Sequence, residues 1–132
     1  MEVKHNDSTE LRPEGTRLMD APVVPIDAPD FLRQIKSEPT WQNSDRNAMT
    51  IYKTDAMRIV MIALHKGTVI EEHSTNGVIS VQVIDGEINF TTEGKTHNLK
   101  KGQMIALHRQ IPHKVSAVEE SVFLLTVANF ID

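Results

Sequence analysis

The stretch Val78-Ile79-Ser80-Val81-Gln82-Val83-Ile84-Asp85-Gly86-Glu87-Ile88-Asn89-Phe90-Thr91-Thr92 carries two strand signatures joined by a turn. Val78–Ile84 is nearly continuous in apolar residues, the pattern of a strand covered on both faces. Asp85-Gly86 closes it with turn chemistry. Ile88, Phe90 and Thr92 then alternate with Glu87, Asn89 and Thr91, which predicts a half-exposed strand. Glu93-Gly94-Lys95 follows as a hairpin turn, and Thr96–Leu99 returns.

The same reading extends to both sides. Upstream, Met49–Thr54 and Met57–Leu64 are apolar runs around Asp55-Ala56, a tight reversal. Downstream, Lys101-Gly102 turns into Met104–Leu107, and Val115, Ala117 and the run Val122–Val127 complete the set. Roughly eight short strands with no helix-length segment between them predict a sandwich or barrel-like jelly roll, not a parallel α/β sheet. Composition agrees. Val and Ile each occur 12 times against 8 Leu, and 19 of those 24 residues lie in 47–132. Stiff β-branched side chains suit a pleated surface, so a helical bundle is excluded as the main architecture. A length of 132 residues suits one compact domain.

Residues 1–46 read differently. The first twenty are polar and contain Pro13 and Gly15, which predicts an arm that is mobile or ordered only against a partner. Pro22, Pro25 and Pro29 limit any strand near 21–26 to a short or edge one. Asp30–Lys36 predicts one short helix, capped by Asp27 or Asp30, with Phe31 and Ile35 on one face. Pro39 is expected to stop it. The division is therefore an N-terminal arm and peripheral segment at 1–46 and a barrel at 47–132.

Six histidines are many for this length, and five lie between 65 and 113. Two stand in an informative order. Gly67 is followed after five residues by His73, in G-T-V-I-E-E-H-S-T-N-G-V-I-S-V-Q-V-I-D-G, which ends at Gly86. Gly102 opens G-Q-M-I-A-L-H-R-Q-I-P-H, which ends at His113. Together these resemble the paired motifs of the cupin superfamily over about residues 57–128, in the manner of small single-domain bacterial cupins. The resemblance implies an all-β fold, a cupin-type jelly-roll barrel (double-stranded β-helix), here with an N-terminal arm and one short helix.

In metal-binding cupins four side chains usually hold the ion. Position by position, the resemblance puts His73 at the first ligand position, Thr75 at the second, Ile79 at the third and His113 at the fourth. These four define the expected ligand-binding pocket, and His73 and His113 are its candidate metal ligands. Residues 73, 75 and 79 share parity, so one uninterrupted strand would put them on one face. Thr is a weak donor to a divalent transition metal and Ile is none, so the set is depleted by two of four. The second motif also departs from the pattern, with His108, Gln110 and Ala117 where Pro, Gly and Asn are typical. His108 is read as solvated in the turn before Pro112, His97 as a surface strand residue and His65 as lying near a strand end. Of Glu71 and Glu72, at most one faces inward.

Two functions follow. The first is a small-molecule-binding cupin with a depleted metal-ligand set at the barrel mouth. The alternative is a metal-dependent cupin enzyme, of dioxygenase or isomerase type, using His73 and His113 to hold a divalent transition metal.

Other classes fare worse. The absence of cysteine removes disulfide scaffolds, thiolate metal sites and cysteine nucleophiles, and fits a cytoplasmic location. A net charge of −4 with scattered Lys and Arg argues against nucleic acid as a partner. No apolar run reaches membrane-span length, and the N-terminus has no apolar leader. Neither a nucleophile elbow nor a glycine-rich phosphate loop is present, and Tyr52, the single tyrosine, lies outside both motifs. The apolar groups Val23, Val24, Ile26 and Trp41 in the peripheral segment predict a homodimer, with residues 21–26 adding a strand to a neighbour's sheet edge.

Overall fold

The computed structural model describes residues 4–5 and 18–129. Strands β1 (Lys4–His5) and β2 (Leu18–Asp20) pair antiparallel with each other; the rest of the predicted arm lies outside the described residues. Residues 21–27 form no strand within the chain.

The chain then forms two helices, not one. Helix α1 spans Ala28–Ser37 and α2 spans Pro39–Asn43. Asp27 is the cap: its side chain accepts from the Asp30 amide at 3.0 Å. Pro39 ends α1 as expected, because the residue before a proline avoids helical geometry, and Glu38 is extended. The same proline then starts α2, where its missing amide proton costs nothing.

Nine strands follow: β3 (Arg46–Lys53), β4 (Met57–Leu64), β5 (Val69–His73), β6 (Val78–Asp85), β7 (Glu87–Thr92), β8 (Lys95–Lys100), β9 (Met104–Leu107), β10 (His113–Ala117) and β11 (Ser121–Ala128). They form a five-stranded sheet in the order β3-β4-β11-β6-β9 and a four-stranded sheet in the order β5-β10-β7-β8. Every pairing is antiparallel. This is the jelly-roll barrel.

Two apolar clusters explain the sequence pattern. One fills the space between the sheets, with Ile79, Val81 and Val83 from one side and Ile88, Phe90, Val115 and Ala117 from the other. The second lies on the outer face of the larger sheet, where Ile35 and Trp41 from the helices meet Met49, Ile51, Met61 and Val122. Strands β4 and β11 contribute to both clusters, so both their faces are covered and their sequences run apolar without alternation. Asn47 fastens the helices to β3: its amide nitrogen donates to the Ile35 carbonyl and to Glu38 Oε1, both at 2.9 Å.

The crossing from β6 to β7 takes the chain from one sheet to the other at Gly86, with φ +85°. The Ser121 hydroxyl braces this corner. It accepts from the Glu87 amide at 2.9 Å and lies 2.9 and 2.7 Å from the Glu87 and Glu119 carbonyls.

Candidate functional site

His113 opens β10, an interior strand of the smaller sheet, and stands in register with His73 at the end of the edge strand β5. No uninterrupted strand runs over 73–79. β5 ends at His73 and β6 begins at Val78 in the opposite sheet. Alternation therefore says nothing about the relation of His73 to Ile79. A bulge in β5 places both Ile70 and His73 opposite β10 residues of one parity, Val115 and His113. That extra residue aims His73 at its partner.

The two imidazoles meet edge to face, with centroids 4.4 Å apart and planes at 62°. His113 is buried and His73 exposed. Phe90 stacks on the other side of His113 at 5.2 Å. Each Nδ1 is 2.9 Å from a backbone carbonyl two residues earlier, His73 to Glu71 and His113 to Ile111. A carbonyl only accepts, so each Nδ1 carries a proton, and in the neutral form of either ring Nε2 is the lone pair. Burial holds the His113 pKa below the usual histidine range. The bond to the Ile111 carbonyl opposes that shift, and repulsion from the protonated form of His73 adds to it.

The two motif loops are also joined. The Gln110 amide donates to the Thr75 carbonyl at 3.0 Å, and the Gln110 side chain bonds the Asn76 side chain. Gln110 takes φ +63° to do so. Thr75 is thus placed in the segment between β5 and β6, half-buried and held through its carbonyl. Ile79 is 3% exposed and belongs to the barrel core, paired with Leu107 and Val127.

A cupin-domain family model matches residues 60–128, just over half of the chain and both motif loops. The chain belongs to the cupin family. Solved cupin-like structures overlay on it. A conserved protein of unknown function from Streptococcus pyogenes is 28% identical, with a TM-score of 0.62 over 68% of this chain and 79% of that one. A cupin-2 domain protein from Shewanella frigidimarina is 14% identical, with a TM-score of 0.64 over 79% and 94%. An RmlC-like cupin from Desulfovibrio desulfuricans is 24% identical, with a TM-score of 0.59 over 63% and 81%. No curated protein matches the chain.

The cupin fold implies a metal, and the donors here fall short of one. His73 and His113 supply two imidazole nitrogens. Among the described residues, no three or more His, Asp or Glu side chains come together to hold an ion. A metal site takes four protein donors where it is closed and three where one position stays open, so this pair makes neither by itself.

The remaining histidines are dispersed. His108 is exposed after β9, and His97 is exposed on β8. Glu71 and Glu72 are both exposed. His65 follows β4 directly, stacks on Trp41 at 3.5 Å and bonds the Trp41 carbonyl through Nε2 at 2.8 Å. It borders a shallow cleft of about 630 Å³ that includes Asp45 and Lys66.

Sequence reasoning missed Thr92 and Lys95. The Glu93-Gly94 loop pairs them across the β7–β8 hairpin, and His113 pairs with Thr92 across β10–β7. The hairpin spacing was legible; the β10–β7 pairing, between strands remote in sequence, was not.

Proposed function

We propose that this cupin binds a small polar molecule at the barrel mouth, on the His73–His113 pair. The observation that carries this is the preset tautomer of both rings. Two hydrogen bonds to backbone carbonyls hold the protons on Nδ1 and leave both Nε2 atoms uncommitted, beside an apolar interior. Polar groups converging at the edge of an apolar cavity are the common anatomy of a small-ligand site. The same lone pairs favour a second reading, a metal-dependent cupin enzyme in which the ligand completes the donor set.

The first test is a nuclear magnetic resonance titration of imidazole-labelled protein against a library of small polar metabolites. A true ligand moves the His73 and His113 resonances together and loses its effect in His113→Asn. Ligands that move only resonances elsewhere would place binding away from the mouth. Metal analysis of untagged protein separates the two readings. Stoichiometric metal lost in both His73→Ala and His113→Ala supports the enzyme, and its absence after loading with Fe, Mn, Ni or Zn removes that reading.

A further inference from the structure

The strand register of the smaller sheet aligns four side chains in one row across its inner face: His73 on β5, His113 on β10, Thr92 on β7 and Lys95 on β8. Three of them offer hydrogen-bond acceptors. The two imidazoles present Nε2, and the Thr92 hydroxyl already donates its proton to the Pro112 carbonyl at 2.9 Å. The fourth is a cation. Lys95 is exposed and has no ion-pair partner among the described residues. His113 and Lys95 stand two strands apart, about 10 Å between backbones, within the combined reach of an imidazole and a lysine stem, and His73 stands one strand further, about 14 Å from Lys95.

Resting on the mouth as the binding site, we propose that its ligand is a small hydroxylated organic acid. Hydroxyl protons of the ligand meet the acceptors of His73, His113 and Thr92, and the acid group pairs with Lys95. An acceptor row alone attracts no anion, because burial keeps His113 neutral at physiological pH; the charge selectivity belongs to Lys95. The row ends on a β-hairpin turn at Glu93-Gly94, so the cation is at the rim, where the acid can retain part of its hydration.

The test uses the full chain at pH 7.5, with D-gluconate as the acid and sorbitol as its neutral counterpart. Binding is followed by the imidazole resonances of His73 and His113. Gluconate is expected to bind saturably, and sorbitol about ten-fold or more weaker, the usual scale of one charge-assisted hydrogen bond. Lys95→Glu should weaken gluconate by at least the same factor, and Lys95→Arg should retain it. Lys95 is exposed, so neither variant threatens the fold. Equal binding of gluconate by wild type and Lys95→Glu, or of sorbitol and gluconate by wild type, overturns the charge assignment and leaves the mouth as a site for neutral molecules. Failure of gluconate, galacturonate and glycerate to move either imidazole overturns the ligand class. Acid binding that bypasses both imidazoles overturns the mouth reading as well.

Discussion

Replacing Gly86 with alanine tests whether the corner between the two sheets is as tight as it looks. Two separable costs arise there. At φ +85° any residue with a Cβ is strained, by about 1–2 kcal/mol. That Cβ would also overlap the Glu120 carbonyl oxygen and the Ser121 hydroxyl and backbone. These are strand and turn atoms, not the flexible end of a side chain, so β11 or the corner must move. Overpacking of this kind costs about 1–3 kcal/mol, giving about 2–5 kcal/mol in all. Gly102 supplies the control, with φ +88° and no atom within 4 Å of its hypothetical Cβ; Gly102→Ala should cost only the first part. Urea unfolding followed by circular dichroism should place the Gly86→Ala midpoint about 1–2.5 M below wild type, and that of Gly102→Ala at about half that shift or less. Equal losses in the two variants would show that the overlap is relieved freely and that Ser121 does not fix the corner.

Further outcomes follow from the same structure. Because the folded pKa of His113 lies below its ordinary value of 6.5, the unfolded chain takes up that proton first as pH falls. Stability from this group is therefore complete above 6.5 and declines below it; His113→Phe should flatten that limb of a stability–pH curve, and an unchanged curve would locate the titration elsewhere. Phe90→Ala should destabilise by about 3–5 kcal/mol in urea titrations, as a fully buried aromatic, whereas Phe90→Leu should lose under half as much. Asn47→Ala strands the Ile35 carbonyl and should cost about 1–3 kcal/mol; a loss near zero would mean that water replaces the amide.

The barrel was legible because its signals are local. Alternation in Glu87–Thr92, turn chemistry at Asp85-Gly86 and the continuous run Val122–Val127 each follow from burial on one face or two. Proline was read half correctly. Pro39 ends one helix, but it equally begins another, and which role prevails depends on whether the next turn finds apolar cover. Trp41 supplies that cover by joining the apolar cluster that holds Met49 and Met61.

The candidate site was legible in its two histidines and illegible in their surroundings. Parity fails where a strand stops; the turn cluster Ser74-Thr75-Asn76-Gly77 marks that stop, but it does not announce that the chain leaves one sheet for the other. The β5 bulge is equally silent, since it depends on the partner strand. Thr92 and Lys95 enter the row only once non-local pairing is known.

The placement of the histidine pair on strands of unequal standing has a kinetic consequence. β5 has β10 as its one sheet neighbour and is five residues long, whereas β10 is held on both sides. Fraying of a short edge strand is a low-energy excursion that leaves the barrel intact. Amide hydrogens of Val69–His73 should then exchange with solvent faster than those of His113–Ala117. Escape of a bound molecule would follow the clock of the edge strand, so residence time at the mouth becomes adjustable through β5 without any change to the atoms that recognise the ligand.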